Sequence, residues 1–466
     1  MENLDSTVLS TSLPAIAASL HEDPIALKLA LTSYLLSLAV FIPISGWVAD
    51  KYGARTVFMA AIAVFTGGSM LCGLSNGLAQ FVVFRMVQGL GGAMMVPVGR
   101  LVILRSVPKS ELISSLAWLT IPALLGPVIG PPLGGFITTY LNWRWIFYVN
   151  VPIGALGLLL TWNFITNVRE AHTPPLDKTG FALSGLGLSS FVFGLAVLGE
   201  SAGSLTAGFS LTAAGLVICS AYVWYARRIP NPVIDLSLLR IPTFRASVIG
   251  ASFFRIGVGA VPFLLPLMLQ LSFGLSPFQS GTITFAAAAG SILMKATAAT
   301  IIRRFGFRNI LIVNAMISAA FLSVTGFFTA NTSHALIVGV LLAGGFFRSL
   351  QFTAVNALAY ADIRPAAISR ATSFASVAQQ VSLSLGVALG ALILQAARGA
   401  RGEMVLTQSD FAIAFWIVAS IGALSVLSFL RLPAGAGDEM TGSSPMDETA
   451  PAAAAANPRA EATAPR

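Results

Sequence analysis

The sequence predicts an all-α polytopic membrane protein, and two observations carry that prediction. Of the 466 residues, 56% are hydrophobic and only 10% are charged, whereas a soluble domain carries about 25% charged residues. Apolar runs recur from one end of the chain to the other, and each is close to the ~20 residues that an α-helix needs to cross a bilayer. A chain this apolar cannot cover itself with polar surface, so we expect lipid to surround it.

The apolar runs give the order of the predicted helices. We place them at 1–20, 27–49, 56–75, 78–104, 111–138, 144–165, 179–199, 204–226, 242–271, 277–301, 309–330, 334–361, 368–397 and 410–431. Transmembrane β-strands would instead appear as segments of about ten residues with alternating polarity. The runs therefore predict about fourteen transmembrane helices, an even number that puts both termini on one side.

The basic residues predict the orientation. Lys and Arg concentrate in cytoplasmic loops of membrane proteins. With the amino terminus inside, most basic residues fall on the cytoplasmic side, and the external side holds Lys28, Arg144, Arg398 and Arg401. The net charge of +9 is thus a topology signal and does not predict a nucleic-acid partner. We expect a multi-pass protein of the bacterial inner membrane with both termini in the cytoplasm.

Both ends of the chain carry expectations of their own. The first run is short and rich in Ser and Thr. A short, tilted first helix is one interpretation; we favour another, in which Met1 is an internal methionine and the first helix is truncated. Residues 432–466 are rich in Ala, Pro, Gly, Ser and Glu, a composition typical of a disordered tail.

A weak internal repeat predicts two related halves. The loop Gly46–Thr56 and the loop 299–309 align Gly53 with Gly306 and Arg55 with Arg308. Duplicated halves are a recurring plan of transporters. We therefore expect two six-helix bundles at 1–165 and 241–431, with two inserted helices in 166–240.

Three segments of the first half have unusual residues for a lipid-facing helix. The loop from Gly46 to Arg55 combines Gly53, which permits a tight turn, with Asp50, which is placed to pair with a base on a neighbouring helix. The alternative is an ordinary charged loop. Arg85 lies inside the fourth run, where a charge costs about 2.5–3.5 kcal/mol on insertion scales. It should face the interior with a partner; a structural Arg bonded to backbone carbonyls is the alternative.

The fifth run carries small residues at every fourth position. Gly126, Gly130 and Gly134 would form one flat face that lets another helix approach closely. Pro127 and Pro131 remove backbone donors and favour a bend. Simple close packing without a role in transport is the alternative interpretation.

The remaining intramembrane charges differ between the halves. In the sequence, Asp5 is the only carboxylate that lies well inside an apolar run of either six-helix half. A carboxylate in a low dielectric readily takes up a proton. Asp5 is our candidate proton carrier; a helix-capping or surface acid is the alternative. The second half instead has Arg255, Lys295 and Arg348, with Lys295 expected to snorkel to the cytoplasmic interface. Asp5 and Arg255 hold comparable places, and we expect them to face each other across a central cavity.

Several of these strings resemble the major facilitator superfamily. Gly46–Arg55 is similar to the signature loop of that family, and Arg85–Ala93 to its fourth-helix motif, in which the arginine is associated with proton coupling. Residues 126–135 resemble the antiporter motif of its drug exporters, and residues 4–14 the first-helix motif of its fourteen-helix drug:proton antiporters, with Ser10 and Ser12 as departures. The segments 91–101 and 255–263 look like the MdtD type of multidrug transporter.

The resemblance, with the absence of a nucleotide-binding loop or a catalytic cluster from the sequence, implies transport driven by an ion gradient. We expect no enzyme activity and no cofactor. The leading hypothesis is proton-coupled export of drug-like or amphipathic small molecules by a monomer in the bilayer; an efflux adaptor is not implied. Export of one metabolite, such as a sugar, amino-acid product or siderophore, is the runner-up. A membrane receptor or scaffold is a remote alternative.

Overall fold

The computed structural model describes residues 1–106, 112–167, 169, 175–198, 202–364, 367–402, 405–433 and 435–437. The side chains of 100, 101, 103–106, 112–125, 202–204, 299 and 369 are not part of that description. Nearly all of the predicted tail lies outside it.

Helices make up the regular structure of the described ranges. The first half contains α1 Glu2–Leu20, α2 Lys28–Tyr52, α3 Ala54–Leu74, α4 Leu78–Ser106, α5 Leu112–Tyr140, α6 Trp145–Tyr148 and α7 Asn150–Phe164. Next come α8 Lys178–Val197 and α9 Ala202–Ala226. The second half contains α10 Pro242–Arg245, α11 Ala251–Gly259, α12 Val261–Leu267, α13 Pro277–Phe305, α14 Phe307–Thr325, α15 His334–Leu358, α16 Ile368–Arg401, α17 Gln408–Ala423 and α18 Ser425–Phe429.

The predicted all-α membrane fold is confirmed, with helices at the positions of the apolar runs. Among the described residues, 11 helices are long and apolar enough to cross a membrane. The count of fourteen crossings stays a prediction, because α1, α5 and α13 are outside that set. The run at 242–271 is built from α10, α11 and α12, with a π-helical turn at Ala246–Gly250 between α10 and α11 and another at Met268–Ser272 after α12. Pro262 and Pro266 lie in this broken helix, and neither can donate a backbone hydrogen bond.

The helices pack as two bundles with the same plan. In the first, α4 packs against α2 and α3, and α1 packs against α5. In the second, α15 packs against α13 and α14, and α11 packs against α16. The halves meet where α5 lies against α13 and α2 against α16, while α8 packs against α2, α16 and α9. The predicted domain boundaries stay predictions.

Polar contacts join the two halves at one end of the molecule, which we call the Asp23 end. Arg398 Nη1 lies 2.6 Å from Asp23 Oδ2, and Lys28 Nζ donates to Gln395 Oε1 at 3.2 Å. The backbone N–H of Phe278 donates to Thr139 Oγ1 at 3.0 Å. These contacts hold the halves together at this end.

The opposite end, which we call the Gly53 end, carries the two loops of the internal repeat. Gly53 joins α2 to α3 with φ +94°, and Gly306 joins α13 to α14 with φ +71°. Glycine adopts such positive φ values without the steric cost that other residues incur. The aligned glycines therefore make the same kind of turn in the two halves.

Candidate functional site

A buried ion pair between α1 and α4 is the centre of the first half. Arg85 Nη1 lies 2.5 Å from Asp5 Oδ2. Asp5 is 3% exposed and Arg85 is fully buried. Buried charges are stable only when paired and hydrogen-bonded. Asp5 and Arg85 each supply the counter-charge that the other needs.

Two amide side chains complete the coordination of Asp5. Gln88 Nε2 donates to Asp5 Oδ1 at 2.8 Å, and Asn150 Nδ2 donates to the same oxygen at 3.1 Å. Arg85 also donates to Gln88 Oε1 at 2.6 Å. The carboxylate thus receives donors from α4 and α7, and we call Asp5, Arg85, Gln88 and Asn150 the Asp5 cluster.

The second helix holds the guanidinium from the other side. The Arg85 Cζ atom lies 4.2 Å from the centroid of the Tyr34 ring, within the range of a cation–π interaction. Arg85 Nε donates to the carbonyl oxygen of Ala30 at 3.3 Å. Among the described atoms, Arg85 Nη2 and the Tyr34 hydroxyl have no hydrogen-bond partner. Arg85 therefore combines the two predicted alternatives, an acidic partner and a backbone carbonyl.

Local sequence explains how the cluster assembles. Arg85 and Gln88 are three residues apart on α4, which places them on one face of the helix. A Cβ atom at Gly89 would lie 2.7 Å from the Cβ of Ser37, so glycine is what lets α2 and α4 approach closely. The Asn150 side chain, at the start of α7, also donates to Ser69 Oγ on α3 at 3.0 Å.

The predicted glycine face of α5 packs directly against α1. A Cβ atom at Gly126 would lie 2.8 Å from the backbone N of Leu4, and one at Gly134 would lie 2.5 Å from the carbonyl oxygen of Val8. Gly130 faces the side chain of Thr7. The close approach predicted from the spacing is present, and its partner is the helix that carries Asp5.

The prolines of α5 lie beside this face. Pro127 is half-buried. The carbonyl of Pro131 faces Gly281 of α13, and Gly135 in turn faces the carbonyl of Pro277. Because these residues come from opposite halves, α5 is packed closely against both α1 and α13.

The signature loop lies between α2 and α3, next to the end of α7. Gly53 lies close to the Asn167 side chain, and the Arg55 guanidinium carbon lies 5.0 Å from the Trp162 ring centroid. Asp50 is half-buried near the end of α2 and Gly46 lies on the same helix. The pairing predicted for Asp50 stays a prediction, since the basic side chains at the end of α4 lie outside the described residues.

The second half places its charges differently. Arg255 on α11 is 2% exposed and its Nη2 donates to Asn356 Oδ1 at 2.9 Å. Asp5 pairs with Arg85 and Arg255 with Asn356, so the printed partner of each lies within its own half. The expectation that Asp5 and Arg255 face each other across a central cavity stays a prediction. The surface-acid alternative for Asp5 is excluded by its burial.

Lys295 and Arg348 complete the set of second-half cations. Lys295 Nζ donates to Thr353 Oγ1 on α15 at 2.8 Å, so its ammonium group lies against the neighbouring helix. Arg348 is half-buried on α15. None of the described acidic residues forms a salt bridge with Arg255, Lys295 or Arg348.

Sequence reasoning gave no role to Gln88, Asn150 or Lys28. Each is buried in the structure, and each is a polar residue within or beside an apolar run, which is a detectable signal. Asn150 is separated from Asp5 by five helices along the chain, so only the folded bundle brings the two together.

Comparisons with known proteins agree with this architecture, which is that of a polytopic membrane transporter. The family model of the Major Facilitator Superfamily matches residues 1–241 and 247–456. HsrA of Haemophilus influenzae, provisionally named a transport protein, is 37% identical over 84% of this chain and 85% of its own. MdtD of Salmonella paratyphi A, provisionally named a multidrug resistance protein, is 35% identical over 93% and 92%.

Solved structures share the fold at low sequence identity. An auto-inhibited peptide transporter of the POT family has a TM-score of 0.64 at 16% identity, covering 93% of this chain and 96% of its own. The human organic anion transporter MFSD10 has a TM-score of 0.58 at 13% identity, covering 92% and 96%. The chain belongs to the major facilitator superfamily, and the expected similarity to MdtD-type proteins is confirmed.

Proposed function

We propose that the protein is a proton-coupled antiporter that exports drug-like or amphipathic small molecules. The observation that carries the proposal is the Asp5 cluster, a buried acid whose oxygens are held by one cation and two amides. Intramembrane ionisable residues mark proton and substrate pathways in transporters. The similarity to MdtD, with its provisional multidrug name, supports export of varied organic molecules.

Protonation of Asp5 would change the contact between α1 and α4. A proton on the carboxyl group removes the negative charge opposite Arg85, and it also removes one of the lone pairs that accept hydrogen bonds. Arg85 then remains buried with a weaker partner, which is a costly arrangement. A shift of α1 that offers Arg85 new contacts would relieve that cost.

The position of α1 connects this change to the interface between the halves. The helix packs against the glycine face of α5, and α5 packs against α13 of the other half. The carbonyl oxygen of Thr11 also accepts a hydrogen bond from Gln270 Nε2 at 2.8 Å. A movement of α1 therefore acts on contacts that hold the two halves together, as rocking of one half against the other requires.

We place the protein in the bacterial inner membrane, with the Gly53 end and both termini in the cytoplasm. The distribution of basic residues in the sequence supports this orientation. In that setting the Asp23 end is external, and its contacts close the external side. External protons would enter as substrate leaves, and no cofactor takes part.

The proposal is tested with purified protein in proteoliposomes under an imposed pH gradient. Efflux of a panel of dyes and metabolites is compared for the wild type and for Asp5→Asn, which keeps the size of the side chain and removes the proton site. We expect Asp5→Asn to lower gradient-driven efflux at least about tenfold, as general acid–base groups commonly contribute 100-fold or more. Exchange of substrate without a gradient should persist.

A matched control separates coupling from folding. Asp410 is also a buried acid, paired with Arg401 at 2.5 Å, but it lies at the start of α17. Asp410→Asn should leave gradient-driven efflux within about twofold of the wild type. Unchanged coupling in Asp5→Asn, or an equal loss in both variants, would refute the role of Asp5. A panel in which only one metabolite moves would favour the single-substrate exporter.

A further inference from the structure

The second half repeats a motif of the Asp5 cluster without its acid. Arg85 and Gln88 on α4 have the same spacing as Arg348 and Gln351 on α15, the helix that occupies the corresponding place in its bundle. Gln351 is fully buried and is hydrogen-bonded to Asn314 at 2.8 Å. Where the first half has Asp5, the second half has Arg255, so the acid of the pair is replaced by a second base.

Two of the second-half bases reach one turn of α15. Arg255 reaches Asn356 and Lys295 reaches Thr353. Residues three apart on a helix have Cβ atoms about 5–6 Å apart. The guanidinium and ammonium groups are thus held beside adjacent side chains, where one small anion can contact both.

Neither base has its charge balanced within the described residues. Arg255 has an amide partner but no carboxylate partner, and its Nε atom has no hydrogen-bond partner. Burying the Arg255 charge without a counter-charge costs several kcal/mol, whereas Lys295 is exposed. Arg348, four residues before Phe352 on the same face of α15, adds a third cation without a salt bridge.

The place is open to a ligand and partly apolar. The Asn356 side chain is exposed, so the buried Arg255 lies one side chain away from the accessible surface. An amide and a guanidinium facing lipid would be costly, which indicates that this surface lines a polar cavity. The Phe352 ring lies 5.9 Å from the Arg255 guanidinium carbon and 5.3 Å from the Phe254 ring.

We propose that Arg255, Lys295 and Asn356 form a binding site for an organic anion, a carboxylate or sulfonate attached to an apolar body. The negative group would be held by the two cations and the Asn356 amide, and the apolar body by Phe254 and Phe352. The proposal rests on the proposed function in one respect, since it assigns the substrate class of the transport cavity. The negative charge of the substrate would then balance the cations of the second half, as Asp5 balances Arg85 in the first.

The test measures whether the site attracts an anionic reagent more strongly than a cationic one, and it does not require transport. Asn356→Cys is introduced in a Cys219→Ser background, because Cys72 is fully buried and Cys219 is partly accessible. Inverted membrane vesicles, which expose the cytoplasmic face, are treated with an anionic methanethiosulfonate (the ethylsulfonate) or a cationic one (ethyltrimethylammonium). Each rate is divided by the rate of the same reagent with a free thiol in solution.

We expect the anionic reagent to be favoured by about tenfold or more, the lower limit for a cleft that concentrates ions of one sign. Arg255→Gln with Lys295→Met should bring the ratio close to one. Arg304→Gln, which removes a cation at the end of α13, should leave the ratio unchanged. An introduced thiol that neither reagent modifies, a ratio at or below one, or an equal effect of Arg304→Gln would overturn the site.

A second measurement keeps Asn356 intact. Benzenesulfonate and benzenesulfonamide have similar shapes and differ in charge, and the sulfonate stays ionised and so does not carry protons across the bilayer. Each is added to the dye-efflux assay with otherwise wild-type protein. We expect benzenesulfonate to inhibit at a concentration about tenfold lower than benzenesulfonamide, consistent with a charge-assisted hydrogen bond. Equal inhibition by the two would count against the site. Failure of proton coupling with an intact charge preference would refute the proposed function and leave the anion site standing.

Discussion

The two halves of the molecule share one arrangement of helices and differ in how they balance charge. In the first half, Arg85 is paired with Asp5 at 2.5 Å and the acid receives two further amide donors. In the second half, Arg348 occupies the corresponding position and none of the described acids pairs with it. The place of Asp5 is taken by Arg255, which has an amide partner.

The difference suggests a division of roles between the halves. A half whose charge is balanced internally can respond to a proton, because adding one breaks the balance. A half with uncompensated cations responds to an anionic ligand, because adding one creates the balance. The two related halves would thus carry different sites, one for a proton and one for an anion. The contacts between α5 and α13 and between α2 and α16 would couple these two sites.

The largest expected effect comes from removing the arginine of each half in turn. Arg85→Met leaves Asp5 buried without its cation, and breaking a buried pair in this way costs about 3–5 kcal/mol. Arg348→Met removes a cation that has no salt bridge, so it should change the free energy of unfolding by less than about 1 kcal/mol or stabilise the protein. Denaturation in SDS, followed by tryptophan fluorescence, measures both.

A double variant shows whether the cost belongs to the pair. Asp5→Leu with Arg85→Met removes both charges, and replacing a buried pair by apolar residues is often neutral. We expect the double variant to recover most of the stability lost in Arg85→Met. If Arg348→Met destabilised the protein as much as Arg85→Met, the ion pair with Asp5 would not be what makes Arg85 important for stability.

The sequence was sufficient to predict the helices but not the partner of each charge. Apolar runs ended within a few residues of the observed helices because length and polarity are local properties. The identity of the Asp5 partner depends on how far α1 and α4 are rotated about their axes, which is a property of the packed bundle. Asp5 and Arg255 hold comparable positions in the two halves, and position along the chain alone does not identify the partner of either.

The glycine face of α5, unlike the partners of the buried charges, could be predicted from local sequence. Its four-residue spacing is a local pattern that directly describes a helix surface, so the close approach could be predicted from Gly126, Gly130 and Gly134. What the spacing could not give is the neighbour. The structure identifies α1 on this face, with α13 close to Gly135, and that arrangement connects the glycines to Asp5.

An intermediate effect is expected at the two repeat glycines. Both have positive φ values, so Gly53→Ala and Gly306→Ala should each cost about 1–3 kcal/mol from backbone strain. At Gly53 the new methyl group would also overlap the Asn167 side chain, whereas nothing lies within 4 Å of the corresponding position at Gly306. Gly53→Ala should therefore be the more destabilising of the two in SDS denaturation.

Removing the obstruction sharpens this comparison. In an Asn167→Ala background the overlap at Gly53 disappears, and the cost of Gly53→Ala should fall to that of Gly306→Ala. Equal costs in the original background would mean that the two loops respond only to backbone conformation. A larger cost at Gly306 would contradict the structure of the repeat.

The smallest effect is expected at the ion pair that joins the halves. Asp23 and Arg398 are 2.6 Å apart, with side chains 39% and 20% exposed. Exposed pairs contribute about 0.2–1 kcal/mol, so Asp23→Asn should change the ratio of conformations open and closed at the Asp23 end by no more than about fivefold. Distances between spin labels on the two halves, measured by pulsed electron paramagnetic resonance, report that ratio.

Ionic strength distinguishes this pair from the charges inside the bundles. Salt screens exposed charges over about 8–10 Å near physiological concentration and screens buried ones much less. High salt should therefore shift the wild type toward the Asp23→Asn distribution, and exchanging the charges in Asp23→Arg with Arg398→Asp should restore most of the original ratio. A salt-independent distribution would mean that α5–α13 and α2–α16 packing alone holds the halves closed at this end. In that case the Asp23–Arg398 pair would contribute nothing to the equilibrium between conformations open and closed at the Asp23 end. Only the buried charges of the two halves would then distinguish one half from the other.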